Sequence, residues 1–469
     1  MFLVMMVSSH SASLHDLSQN SKHGPGPTRF DRLMTIGRNS RYLGKEALRM
    51  GVQEAKRGKN VEKYKEAVAC LAYISPKDSS GLAELDAEWV GAREKQVKQE
   101  TDKLEHELKG YKNNLIKESI RMGNEDLGAF YYEIGDLANA NKAYTRMREY
   151  CTTPKHVSEM ELKLLLVAAA QDNWMAVQAH AYKIQNLVQA PAEKMLLDAP
   201  LQAALGLANM CTSQYKTAAT HFLAVNPTLV AEFASTESSI SRFTHQLLTP
   251  NDIAVYGGLT ALASLSAAEL RARALDQGTS FRTYLELEPA VRRAVACFVA
   301  AKYPGVLAAL AAYRTDYLLD IHLRRHVYAL HAAIRKKCLI EHCHPFSHVR
   351  VDALASAFDT SVEDMRSELL ELIGAGSLEA RLDLVDDTLV ASVSDRRAGT
   401  HAKALAMAAE HERSLKLKLF KLSMQNAGLV VETKPNAQTS QGSQPGKQIG
   451  SGNGGQARRR DYYSGSDRG

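Results

Sequence analysis

Apolar positions along this chain fall into three successive patterns. The first begins near Arg29, where apolar residues start to recur at helical spacing. Within it, Leu127, Gly128, Tyr131, Gly135, Ala140 and Tyr144 have the spacing of a tetratricopeptide unit, two antiparallel helices joined by a tight turn. Small residues at Gly128 and Ala140 let the helices approach, and Tyr131 and Tyr144 fill the space beside them. Leu137, Ala140 and Tyr144 align with Trp174, Val177 and Ala181. They align again with Tyr215, Ala218 and Phe222, and again with Tyr303, Val306 and Leu310. The steps of 37, 41 and 88 residues, the last spanning two units, predict a degenerate right-handed solenoid.

The second pattern is a highly charged stretch inside the first. Over residues 92–122, Val97, Thr101, Leu104, Leu108, Tyr111 and Leu115 fall on one stripe of a single long helix. A short seam containing Thr101 suits packing on the neighbouring array better than a coiled coil. The third pattern follows His331. Residues 349–351 are β-prone, 352–358 a short helix, and Asp359-Thr360-Ser361 a turn with a capping residue. Residues 362–373 form a second helix stopped by Gly374 and Gly376, and 378–384 and 388–393 alternate as two strands around Asp386-Asp387. Helix, turn, helix and β-hairpin together predict a winged helix. A last helix spans 395–426, with Leu415, Leu419 and Leu422 on one face and Leu417, Phe420 and Met424 roughly opposite. A helix apolar on two sides is not satisfied by one surface and calls for partner helices.

Composition agrees with a mainly α chain: 45% hydrophobic residues but only 7% aromatic ones over 469 positions, more than one unit's worth of sequence. The net charge of +6 suggests nucleic acid until it is located. Residues 433–469 hold six Lys/Arg against Asp461 and Asp467, so most of the excess lies in a Gly/Ser/Gln-rich tail expected to be disordered from 427 onward. Residues 1–28, ending in Gly24-Pro25-Gly26-Pro27, read as a disordered leader. The second winged-helix segment carries Glu363, Asp364, Glu368 and Glu371 against Arg366 alone, which phosphates would repel. No nucleic-acid partner is therefore expected. The six cysteines are scattered, as in a reduced intracellular protein. Met1 to Val7 is too short for a signal peptide, no apolar run is long enough to span a membrane, and no membrane partner is expected. Arg458-Arg459-Arg460 is a weak match to a nuclear import signal.

Chemistry has one candidate. His342-Cys343-His344-Pro345 contains a metalloprotease-like His-x-His-Pro, but the later slots for Ser and the Asp ligand hold Asp352 and Ala355. Without that carboxylate the zinc site is incomplete. A structural zinc site from Cys338, His342, Cys343 and His344 would crowd four ligands into seven residues, so the expected role is a polar loop. His322 and His326 lie four apart, as paired ligands would, yet lack a third ligand and read as ordinary helix residues. No phosphate-binding loop or nucleophile elbow is present, and no cofactor or catalytic residue is expected.

Several strings are familiar as text: Thr28-Arg29-Phe30-Asp31-Arg32-Leu33, Asn113-Asn114-Leu115-Ile116-Lys117-Glu118-Ser119-Ile120-Arg121-Met122-Gly123, and Tyr150-Cys151-Thr152-Thr153. Pro250-Asn251-Asp252-Ile253-Ala254-Val255-Tyr256-Gly257-Gly258 and the winged helix continue them. Through these the chain resembles the subunit 1 family of the COP (constitutive photomorphogenesis) signalosome. That family is a branch of the PCI family shared with the proteasome lid and a translation initiation factor. The resemblance implies a helical array over 29–330, its last part from about 220 being the helical half of a PCI domain. A winged-helix half over 331–394 and a bundle helix over 395–426 follow. It further implies a non-catalytic scaffold in the complex that removes Nedd8 from cullins of cullin-RING ubiquitin ligases, in cytoplasm and nucleus. Partners would be other PCI subunits, the metalloprotease subunit and, through the complex, cullin-RING ligases. The alternative is a PCI scaffold of the proteasome lid or of a translation initiation factor complex. Winged helices in such complexes pair edge to edge and last helices form a bundle. The expected contact residues are Val390, in strand 388–393, and Leu415, Leu417, Leu419, Phe420, Leu422 and Met424.

Overall fold

The computed structural model describes residues 27–75, 82, 84–187, 191–227, 247–276, 278–391 and 396–429. The expected leader up to residue 26 and the expected tail from residue 430 lie outside the described residues. The chain divides into two units, one ending at Ser392 and one beginning at Val393.

Helices of the first unit run in order α1 (Pro27–Asn39), α2 (Gly44–Arg57), α3 (Val61–Ile74), α4 (Ala87–Asn113), α5 (Lys117–Ile134), α6 (Leu137–Met147) and α7 (Pro154–Ala170). Then come α8 (Trp174–Leu187), α9 (Pro191–Cys211), α10 (Tyr215–Leu223), α11 (Pro250–Ser264), α12 (Ala267–Leu270), α13 (Ser280–Leu287), α14 (Pro289–Val299) and α15 (Tyr303–Tyr317). Local signals start many of them. Asn60, Asp86, Asp136 and Thr153 each cap a helix by accepting from the amide three residues on, at 3.0 to 3.3 Å.

The four aligned positions Leu137, Trp174, Tyr215 and Tyr303 are each the first residue of a helix. Ala140, Val177, Ala218 and Val306, three residues in, are all fully buried. The turns before them are built alike. Gly135, Asp172, Ser213 and Ala301, each two residues ahead, have left-handed φ of +94°, +56°, +63° and +56°. The next amide then reaches back five residues: Asp136 to Tyr131, Asn173 to Ala168, Gln214 to Asn209 and Lys302 to Cys297, at 2.8 to 2.9 Å. At Gly128 a Cβ would lie 2.5 Å from the Tyr144 ring, so the aromatic sits on bare backbone.

The single helix expected over 92–122 is two. α4 ends at Asn113, Leu115 turns the chain with a φ of +56°, and α5 starts at Lys117. The stripe holds as far as Leu108, which packs with Ile120 and Leu127 of α5, whereas Leu115 is 82% exposed. Doubling back lets α4 bury that stripe on the next helix, which outweighs one more turn of charged helix.

α11 is the hub. It packs against α9, α10, α13, α14 and the later helix α16 (Val327–Cys343), and is buried on nearly every side. Thr249 and Asp252 start it with a reciprocal capping box. α16 runs through residue 331, where the sequence pattern seemed to change.

After α16 come β1 (His348–Arg350), α17 (Val351–Ala357), α18 (Val362–Gly374), β2 (Ala380–Asp383) and β3 (Thr388–Ala391), a winged helix with antiparallel strand order β1-β3-β2. One continuous core reaches from Leu165 through α11 and α16 to Leu369 and Leu389, so repeat helices and winged helix share their interior. Among the described residues the second unit contains one helix, α19 (Arg396–Asn426).

Candidate interaction surfaces

The sheet of the winged helix corrects one expectation. Val390 lies in the central strand, opposite His348 on one side and Arg381 on the other, so residues 388–391 are not an edge. β1 and β2 are the outer strands. The sequence pattern marks β3 as a strand but carries no information about which neighbour it lies between.

Hydrogen bonding then separates the two edges. Ala391 donates to the Ser347 carbonyl at 2.8 Å and Val351 to Asp387 at 2.9 Å. By antiparallel alternation, Ser347, Val349 and Val351 face β3, and His348 and Arg350 turn their backbone groups outward. On β2 the outward positions are Ala380 and Leu382, and the Ala380 amide is already bonded to Leu378 at 3.0 Å. β1 is thus the edge with two outward residues whose amides meet no backbone acceptor among the described residues.

The helix that would read DNA in other winged helices is already engaged. Glu368 of α18 accepts from Arg335 at 3.0 Å and Glu371 from Lys336 at 2.5 Å, both on α16. Arg366, its one basic residue, donates to Asp387 at 2.5 Å in the wing.

The His-x-His-Pro string is not the polar loop expected. Cys338, His342 and Cys343 belong to α16, with both cysteines buried. The His342 ring is framed by Tyr303, Phe346 and Phe358 at centroid distances of 5.9, 5.8 and 5.5 Å. An imidazole has apolar faces, and burial holds this one toward its neutral form. Burial likewise pushes the Cys338 thiol up to about 12 and the Cys343 thiol up to about 11, the opposite of a metal-binding thiolate. At the two protease slots, Asp352 pairs with Arg350 on the surface and Ala355 is buried.

His322 and His326 are not on an α-helix either. They flank a short 3₁₀ turn, Leu323–Arg325, and each meets a repeat aromatic. His322 lies edge-on to Trp174 at 5.4 Å, and Tyr215 reaches the His326 Nδ1 at 3.2 Å.

That turn belongs to a buried polar cluster with no counterpart in the sequence reading. Arg32 of α1 forms a two-pronged ion pair with Asp252 of α11, one prong at 3.1 Å. Asp252 also accepts from the Thr249 amide at 2.9 Å. Burial opposes its ionisation, but Arg32 and these bonds hold its carboxyl below the usual range. One turn on, the Tyr256 hydroxyl donates to Asp320 at 2.7 Å, and Asp320 accepts from the His322 and Leu323 amides. Leu319 packs on Leu33, Ile36, Leu43 and Ala47. α1 is thereby clasped to the hub across 220 residues of chain.

In the second unit, Leu415, Leu417, Leu419, Phe420 and Leu422 are all exposed, Phe420 by 64%, and Met424 is half-buried. Two further apolar residues that the sequence reading passed over, Leu405 and Met407, are exposed on the same helix.

The clasp joins two of the strings noted in the sequence, the one containing Arg32 and the one containing Asp252. Residues 86–273 match the family described as 26S proteasome subunit RPN7, and residues 310–393 match the PCI domain. COP9 signalosome complex subunit 1 of Emericella nidulans is 43% identical over 417 residues, 87% of this chain and 81% of that protein. The protein of the same name in Arabidopsis thaliana is 37% identical over 405 residues, 85% of this chain and 87% of its own. A 26S proteasome non-ATPase regulatory subunit 6, from Caenorhabditis elegans, stands further off at 23% over 360 residues, 74% of this chain and 82% of that one. Identity of this depth over most of both chains decides between the two branches: the chain belongs to the family of COP9 signalosome complex subunit 1.

Proposed function

We propose that this chain is a non-catalytic scaffold subunit of a signalosome, the complex that removes Nedd8 from the cullins of cullin-RING ligases. The observation that carries the reading is α19, a helix whose two apolar faces are both exposed in its own unit. Such a helix is completed by other chains, each buried Leu contributing about 1.5–3 kcal/mol. Family membership supports the signalosome as the assembly that supplies them. The chain acts by holding other PCI subunits and the metalloprotease subunit together, in cytoplasm and nucleus. The free backbone of His348 and Arg350 on β1 offers a second contact, to a strand of a neighbouring winged helix. No hydrolytic role is assigned to the chain itself: where a metalloprotease needs its acidic ligand, this chain has the buried Ala355.

The test is native purification of the chain with and without Leu419→Glu and Phe420→Glu. Wild type recovers PCI subunits, a metalloprotease subunit and cullins. The double variant loses them, and Nedd8-modified cullins accumulate in its cells. Unchanged cullin modification at normal expression counts against the reading. A second reading, a proteasome-lid scaffold, has in its favour the match of residues 86–273 to the RPN7 description. Co-purifying ATPase-ring subunits in place of cullins would establish it.

A further inference from the structure

The distribution of charge on α19 narrows what covers it. At about 100° per residue, Leu415, Leu419 and Leu422 make one stripe and Leu417, Phe420 and Met424 another, nearly opposite. Lysines occupy the two sectors between the stripes. Lys416 lies in one, and Lys418 and Lys421 in the other, so each stripe has a lysine along both borders. Residues 413–426 hold four basic side chains and no acidic one. Lys416 pairs with Glu412 of the same helix at 2.7 Å. The half before it is built instead from alanines, at 398, 402, 404, 406, 408 and 409.

Resting on the scaffold reading, we infer that residues 413–426 are a two-sided wedge between two helices of other subunits, and that those helices carry acidic residues along the rims of their apolar grooves. A second copy of this chain does not fit, because pairing α19 with itself sets lysine borders against lysine borders. A membrane surface does not fit either: a helix lying in the interface buries one apolar face and leaves the other in water. Two acidic-rimmed grooves satisfy both stripes and both basic sectors. Each lysine keeps its stem on the groove wall and its ammonium at the rim. The wedge is about 21 Å long at the helical rise. Its charges act on the approach of the partners, and its leucines on how long they stay.

The probe is the assembly of the other PCI subunits, prepared without this one, and full-length chain is added to it at low and at high salt. Wild-type association slows with added salt. Lys418→Glu with Lys421→Glu cuts the low-salt association rate about tenfold, and the difference closes at high salt. Lys418→Met with Lys421→Met, which keeps stem length, loses most of the salt dependence but retains high-salt affinity. Charge-reversed chain that associates like wild type at low salt, while Leu419→Asp with Phe420→Asp fails to bind, overturns the acidic rims and leaves the scaffold reading in place. If the Leu419→Asp, Phe420→Asp chain also binds normally, the scaffold reading through α19 fails. Self-association of full-length chain that depends on Leu419, or its sedimentation with phosphatidylserine vesicles in preference to the subunit assembly, overturns the inference as well.

Discussion

Burial, with Asp252 and Asp316 close by, pushes the Glu288 carboxyl up to about 7, while Asn251 donates to it at 3.1 Å. The unfolded chain releases this proton near the ordinary glutamate value and the folded chain holds it. Stability therefore falls as pH rises from about 4.5 to about 7 and levels off above. Glu288→Gln keeps an oxygen for Asn251 and removes the titration. Its expected effect is a flatter dependence of the urea midpoint on pH and a gain of about 2 kcal/mol above neutrality, discounted for partial exposure. Parallel curves for variant and wild type would show that Glu288 ionises freely in the fold. Arg32 works the other way. Arg32→Met leaves Asp252 charged and buried without its counter-charge, at an expected cost of about 3–5 kcal/mol in urea unfolding. Adding Asp252→Asn should recover part of that loss, since Asn can still cap α11. Their pairing does not show in the sequence, because a contact across 220 positions leaves no local period. The aligned residues Leu137, Trp174, Tyr215 and Tyr303 do stand out, because each repeats a short-range spacing. Three of the four turn residues were hidden for a related reason. Asp172, Ser213 and Ala301 adopt the left-handed conformation that Gly135 advertises, at about 1 kcal/mol or more of strain each.

At the scale of elements, alternation reveals strands and capping reveals helix starts, but neighbours decide position in a sheet. That is why β3 was legible as a strand and not as the central one. The distinction has a measurable form. Arg350 has a φ of −74°, close to that of proline, and its amide faces away from β3. Arg350→Pro should therefore change the thermal midpoint of the chain little while weakening assembly with other PCI subunits. Val390→Pro removes a bond inside the sheet, between β3 and β2, and should cost about 3 kcal/mol or more. If Arg350→Pro assembles as well as wild type, the pairing edge is not β1. The end of α16 was misread for a different reason. His342, Cys343 and His344 look polar as letters, yet Cys338, Leu339 and Cys343 face the core and carry the helix through.

Across the whole molecule, the shared core between repeat helices and winged helix means that damage in one is felt in the other. Leu389→Ala, in the last strand, should cost about 2–5 kcal/mol and lower the main thermal transition as a whole. A separate early transition for the winged helix alone would show that the core is not continuous in energy. The clasp of α1 to α11 carries a further consequence, for the newborn chain. Arg32 leaves the ribosome long before Asp252 is made; at about 5–20 residues per second the wait is on the order of ten to forty seconds. During it Leu33 and Ile36 of α1 can pack on Leu43 and Ala47 of α2 but lack the cover that Leu319 later gives. The hub-facing side of α1 is thus among the last surfaces to be covered, and the chain spends that interval dependent on whatever in the cell shields it.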